Sequence, residues 1–339
     1  PYLLNYIENK NGGKMQIFES HAHYDDEQFN GDREELLNKI HSSGVEKIVS
    51  AGYSLEGSKN GLELAKKYDY IYTTLGISPN DINENWEQEI AELDRILSVE
   101  FKNNTNNLNG HSENTKSNIN NNIVNGLENT GCKINGNMVN DLKNNEKLNN
   151  YSNDVIKNKQ NGKKYIVAIG EIGLDYHYSL EKDKQKAVFI KQIELANKYD
   201  LPIVIHTREA VMDTLQILKE HPVNQKGEFH CCPFNRELVK EALKLGFYIS
   251  FSGTCTFKNA KNAEEIVKMV PDDKFLIETD SPYLAPEPVR GTRNDSRNLV
   301  YIIEKIAKFK NKEPAEIAEI SYKNAVRLFE IWLLFRLML

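Results

Sequence analysis

Eight short runs rich in Val, Ile and other apolar residues recur along the chain. Nearly every one is followed by a longer stretch whose apolar residues fall on one helical stripe. This alternation constrains the fold most, because strand–helix repeats build a parallel sheet, and parallel strands need helical crossovers. The predicted strands are 15–20 (MQIFES), 47–51 (KIVSA), 71–76 (IYTTLG), 165–170 (YIVAIG), 201–206 (LPIVIH), 227–231, 247–251 (FYISF) and 275–279 (FLIET). The first predicted helix, 32–43, carries Leu36, Leu37 and Ile40 on one stripe. Others follow at 55–68, 86–99, 183–199, 209–219, 236–245, 260–270 and 299–309. An extra C-terminal helix, 314–329, begins with Pro314 in a tolerated first-turn position. Eight such units favour a closed (β/α)8 TIM barrel of the α/β class over an open doubly wound sheet. No Gly-x-Gly-x-x-Gly follows any of the strands, so a dinucleotide-binding sheet has no support.

One tract interrupts the pattern. Residues 103–161 contain 22 asparagines in 59 positions, a composition that cannot supply a core. The alternation is intact on both sides, so the tract reads as a long flexible loop grafted between a helix and a strand. Residues 1–14 read as an extension without an apolar pattern. Setting both aside leaves about 266 residues, close to the roughly 250 of a single barrel. The expected organisation is therefore a barrel over 15–330, interrupted by 103–161. An apolar tail, 331–339 (IWLLFRLML), is too short to span a bilayer. It is expected to cap the barrel or close a helix bundle.

A formal net charge of -6 argues against binding nucleic acid through a general basic surface. A polyanionic substrate would need a few local cations or metal ions. The four cysteines, Cys132, Cys231, Cys232 and Cys255, include no Cys-x-x-Cys pair, and a reducing, cytoplasmic compartment is the expectation. No basic segment followed by an apolar one marks a signal peptide at the start. The chain begins at Pro1 rather than Met, which leaves secretion open.

The chemistry lies in where histidines and carboxylates fall. His21 and His23 close the first predicted strand as His-x-His, a spacing that puts both side chains on one strand face. Glu171 follows the fourth strand, His206 ends the fifth, His230 ends the sixth and Asp280 follows the eighth. In a barrel all of these gather at the C-terminal mouth, where barrel enzymes carry their chemistry. Four of the eight histidines stand at strand ends, whereas His41, His111, His177 and His221 show no such placement. A lone strand-end His is usually a hydrogen-bonded structural group, and a lone acid after a strand is usually a helix cap. Six potential ligands at one rim outweigh those readings and point to a catalytic metal site with open coordination positions. In a strand, adjacent side chains oppose one another, so only Cys232 would share the direction of His230, and both cysteines read as structural.

At this point the chain resembles the TatD family of metal-dependent deoxyribonucleases, within the amidohydrolase-like barrels. The matching segments are His21-Ala22-His23, GEIGLDY at 170–176, IHTREA at 205–210, His230-Cys231, FYISFSG at 247–253, ETDSPYLAP at 278–286 and RGTRN at 290–294. The resemblance implies that His21, His23 and Asp280 bind a first metal, that Glu171 bridges two, and that His206 and His230 hold the second. Two divalent ions roughly 3.5–4 Å apart stabilise the attacking and leaving oxygens of a phosphodiester and acidify a bridging water. Asp280 would take the proton from that water, with Asp280 and Glu171 the catalytic pair. Mg²⁺ is the expected activating ion, and the imidazoles also suit Zn²⁺ or Mn²⁺. Such ions would give an acidic protein the positive centre that a DNA substrate requires.

Around this core, Arg208 is placed to meet a phosphate or to form a helix-surface ion pair. Tyr283 offers a face to a base or packs under its own loop. Arg290 and Arg293 steer DNA or pin a loop to the barrel, and Asp175 orients a ligand or caps a turn. The chain departs from the family pattern at Ser78-Pro79-Asn80, where many members carry His-Pro-His. It also departs at Glu19-Ser20 in place of Asp-Thr, and at Cys232-Pro233-Phe234-Asn235 after His230. The implied activity is hydrolysis of DNA from 3′ ends. The alternatives are the same metals cleaving an ester or amide, as in aminoacyl-tRNA deacylation, and a non-catalytic module whose Asn-rich loop recruits partners.

Overall fold

The computed structural model describes residues 15–109, 164–178 and 181–331. These fall into two units. One comprises 15–95 and 165–331 and carries every strand; of the other, 96–109 and Lys164 are described. The eight strands are β1 (Ile17–Ala22), β2 (Val45–Ser50), β3 (Ile71–Leu75), β4 (Ile166–Asp175), β5 (Ile203–Arg208), β6 (Gly227–Phe229), β7 (Tyr248–Phe251) and β8 (Phe275–Ile277). They form one parallel sheet in sequence order. The seam between β1 and the end of β8 is tied by His23 N–H donating to Ser281 O (2.7 Å) and Asp280 N–H to His21 O (3.0 Å). The result is a nearly closed (β/α)8 barrel.

Each strand is buried on both faces, which is why the strands read as apolar runs rather than as alternating residues. The helices are α1 (Arg33–Ser42), α2 (Leu55–Lys67), α3 (Trp86–Asn109), α4 (Lys182–Lys198), α5 (Val211–Glu220), α6 (Arg236–Lys244), α7 (Ala263–Met269), α8 (Leu299–Lys310) and α9 (Pro314–Leu328). Side-chain caps start several of them. Ser54 Oγ accepts from Gly57 N–H ahead of α2, and Asn235 Oδ1 from Leu238 N–H ahead of α6. At the N-terminal end of the barrel, Phe18, Val49, Tyr72, Val204 and Leu276 pack with Tyr322, Leu328 and Phe329 from α9 and its end. Phe329 stacks on Phe18 at 6.0 Å and Tyr322 meets it edge-on at 5.8 Å. The plug expected from the apolar tail is thus made by α9 and the buried Ile331; residues 332–339 lie outside the described residues.

Several boundaries differ from the sequence reading, and three of them bear on the site or the insertion. β1 starts and ends two residues later, so His21 lies inside it. β4 continues through Glu171 to Asp175, because its pairing with β5 carries on from Ile172↔Ile205 to Asp175↔Arg208. And α3 runs to Asn109, seven residues into the Asn-rich tract, since lengthening an existing helix avoids the cost of nucleation. The rest of that tract and residues 1–14 lie outside the described residues.

Candidate metal centre

In a regular strand, residues two apart are separated by roughly 6.5–7 Å. The register between β1 and β2 is irregular between Glu19 and Ala22, and the His21 and His23 rings converge until their Nε2 atoms are 3.2 Å apart. Glu171 faces them from β4. Its Oε2 lies 3.4 Å from His21 Nε2 and 3.6 Å from His23 Nε2. Its other oxygen, Oε1, lies 3.0 Å from His206 Nδ1 and 3.3 Å from His230 Nε2, and those two nitrogens are 3.1 Å apart. Asp280 closes the first side, with Oδ1 3.5 Å from His21 Nε2 and 3.2 Å from His23 Nε2. It adopts a left-handed backbone, φ 59°, a conformation a non-glycine residue keeps only where its surroundings hold it.

The donor set fits metal ions. Ligands about 2.0–2.1 Å from a tetrahedral ion lie about 3.3–3.4 Å from one another, and the separations around Glu171 cluster there. His21, His23 and Asp280 are mutually within reach of one ion, as are His21, Glu171 and His230. The far sides of two rings are held. His23 Nδ1 meets Ala51 O at 3.0 Å, His206 Nε2 meets Asp175 Oδ2 at 3.3 Å, and His230 Nδ1 lies 3.5 Å from Glu278 Oε1. Such contacts fix ring orientation and tautomer, leaving the inner nitrogen free to ligate. His21 Nδ1 and His230 Nδ1 are both buried with no hydrogen-bond partner among the described residues, and the two rings stack at 4.0 Å.

Electrostatics favour positive charge here. Burial opposes ionisation of Glu171, but His230 and the hydrogen bonds from His206, His21 and His230 hold its carboxyl well below the usual range. Burial likewise opposes the Asp280 carboxylate, which His23, His230 and His21 hold low. Burial would lower His23, but Asp280, Glu171 and Asp25 outweigh it and push the imidazole up to about 9. Without ions, protons gather where cations belong.

Four expected substrate contacts stand at or near the mouth. The Arg208 guanidinium lies 4.7 Å over the Tyr178 ring. Tyr283 is 49% exposed, meets His23 edge-on at 6.4 Å, and donates its hydroxyl to Asp26 Oδ2 at 2.7 Å. Arg290 stacks on Phe257 at 3.7 Å. Arg293 is bound by both carboxylate oxygens of Asp32 (2.9 and 2.6 Å) and by Gln28 O, so it ties its loop to the start of α1. Sequence reasoning missed Tyr53, which meets His23 edge-on at 5.2 Å, and Asn80, whose amide donates to Asp175 Oδ2 at 3.0 Å. It quoted Glu278 without a role, although Glu278 and Asp280 are two residues apart. The cysteine directions also change: β6 ends at Phe229, Cys231 has φ 38°, and its thiol meets Ser252 Oγ at 3.1 Å. Strand alternation does not apply there.

A sequence profile described as TatD related DNase matches residues 18–107 and 120–330, nearly the whole barrel. The chain belongs to the TatD-related DNase family. A Bacillus subtilis relative named as an uncharacterized metal-dependent hydrolase, YabD, is 34% identical over 317 residues, covering 93% of this chain and 99% of that protein. A relative of the same description from Methanocaldococcus jannaschii is 30% identical over 316 residues, covering 93% and 98%. Among solved structures, the Escherichia coli TatD homolog YjjV superposes with a TM-score of 0.69 at 21% identity, over 93% of this chain and 98% of that one. The protein thus stands among the metal-dependent hydrolases of TatD type. Asn80 is tied to the centre through Asp175 and His206. Among the described residues, no helix is long and apolar enough to cross a membrane.

Proposed function

We propose that the protein is a two-metal deoxyribonuclease that hydrolyses DNA phosphodiesters from 3′ ends in the cytoplasm. The observation that carries this is the division of Glu171, with one oxygen toward His21 and His23 and the other toward His206 and His230. A carboxylate so placed suits two cations a few ångströms apart, and Asp280 on one side only makes the pair unequal. Two bound divalent ions supply Lewis-acid stabilisation of a phosphodiester and a water of lowered pKa. Mg²⁺ is the activating ion we expect, with Zn²⁺ or Mn²⁺ also suited to the imidazoles.

The chain's residues do the rest. Glu171 stays ionised and contributes charge to both sides. The four imidazoles present neutral nitrogens, with His23 oriented from behind by Ala51 and His206 by Asp175. Asp280, whose Oδ1 faces His21 and His23, offers Oδ2 as proton acceptor. Arg208 at the rim meets substrate phosphate, with Tyr283 and Arg290 along the mouth. The hydrolase domain runs from 15 to 330 with 103–161 as an insertion, flanked by 1–14 and the tail 331–339.

The test is degradation of a 3′-labelled and a 5′-labelled oligonucleotide with Mg²⁺ or Mn²⁺, before and after chelation. Full chelation is expected to abolish cleavage, and Asp280→Asn to slow it by roughly 10²–10⁴-fold. Cleavage that survives chelation, or that is untouched by Glu171→Gln and Asp280→Asn, would overturn the proposal. Turnover of aminoacyl-tRNA or small amides in place of DNA would move the same centre to another bond.

A further inference from the structure

Beside the metal centre lies a cavity of about 200 Å³ between the loops after β3 and β4, bordered among others by Pro79, Asn80, Tyr178, Glu181, Lys184 and Gln185. Asn80 links it to the centre. Its amide lies 3.0 Å from Asp175 Oδ2, which lies 3.3 Å from His206 Nε2, so two side chains separate the cavity from an ion-facing imidazole. Tyr178 forms its outer edge. The residue is 70% exposed, although the Arg208 guanidinium lies 4.7 Å over its ring and the His177 imidazole meets that ring edge-on at 4.7 Å. Among the described residues, the large apolar side chains with most exposure are Val99, Tyr178, Met212 and Tyr283. Three of those four follow the C-terminal ends of strands β4, β5 and β8. Exposed apolar groups gathered around one mouth mark a surface that meets a ligand.

We propose that this cavity is a nucleobase subsite, in which the base beside the scissile phosphate stacks on Tyr178. The inference rests on the nuclease reading above and deepens it. A planar heterocycle suits an exposed tyrosine ring, because every base has a π-surface and such stacking tolerates any sequence. Arg208, fixed against the same ring, sets a positive charge on the side where the attached phosphate approaches Glu171 and the imidazoles. Lys184 is not the anion contact, since it is paired with Glu84 at 2.7 Å and Glu181 at 3.5 Å. An aromatic face beside a cation suits a single-stranded end, whose terminal base is free to leave the stack.

The test compares two end-labelled single strands in the presence of Mn²⁺, identical except that the second has an abasic 3′-terminal residue. Tyr178→Ala is expected to lower kcat/KM on the natural strand by roughly 5- to 150-fold, chiefly through KM. On the abasic strand it should leave the rate close to wild type. Tyr178→Phe, which keeps the ring, should match wild type on both. An equal loss on the two strands, or no loss on the natural one, would overturn the subsite. Failure of the wild-type protein to cut either strand would instead contradict the nuclease reading, and the subsite would fall with it. Because Tyr178 is so exposed, both variants should melt at the wild-type temperature.

Discussion

Gly173 offers the sharpest link between fold and centre. It pairs with His206 across β4 and β5 and has φ +139°, a backbone that L side chains rarely adopt. A methyl group built there would lie 2.0 Å from His206 O, whereas real Cβ contacts essentially never fall below 3.0 Å. Gly173→Ala must therefore push the two strands apart by at least 1.0 Å, at the residue whose ring faces Glu171 at 3.0 Å. Overpacking and the disfavoured backbone together cost roughly 2–5 kcal/mol. For a domain of this size that lowers Tm by roughly 5–15 °C. Ligand positions must hold to within about 0.2 Å for an ion to bind well. The ion facing His206 and His230 should thus be lost, while the one facing His21, His23 and Asp280 remains. Thermal melting of ion-stripped protein and elemental analysis after reloading read both effects. A variant that melts with wild type and takes up the same number of ions would refute the reasoning.

Asp175→Ala removes the group behind His206 and should weaken the ion on that side by roughly 10- to 100-fold, leaving the other unchanged; competition with a chromophoric chelator reads the two affinities separately. The protonated His23 adds a pH dependence. Its folded pKa, pushed up to about 9, means that the imidazolium dominates below that pH and must lose its proton before ligating. Affinity on the His21–His23 side should therefore rise roughly tenfold per pH unit from 7 to about 9 and then level. Calorimetry at pH 7.5 in buffers of different ionisation enthalpy should show about one proton released with that ion. Heats independent of buffer would contradict this.

Much of the barrel was legible because strands buried on both faces leave continuous apolar runs, and helices covering them leave stripes such as Leu36, Leu37 and Ile40. The candidate site was legible because chemistry at a barrel mouth comes from strand ends, and four histidines stand at or beside them. What stayed hidden depended on distant partners. Asn80 acquires its role from Asp175, 95 residues away, and no local pattern announces such a contact. Gly170 looked like the end of a strand. At Gly173, glycine instead lets β4 run on close against the His206 backbone. Strand alternation does not govern the directions of Cys231 and Cys232, because β6 ends at Phe229 and Cys231 has φ 38°. Arg293 carried a charge the sequence could assign to DNA, whereas its partner in the fold is Asp32.

The most direct measurement is an anomalous-difference map from a crystal soaked in Mn²⁺ and cut back to the barrel mouth at high occupancy. Two peaks are expected, one against each oxygen of Glu171, about 3.5–4 Å apart. A single peak remote from Glu171, or none, would contradict the claim that this carboxylate is the bridge of the centre.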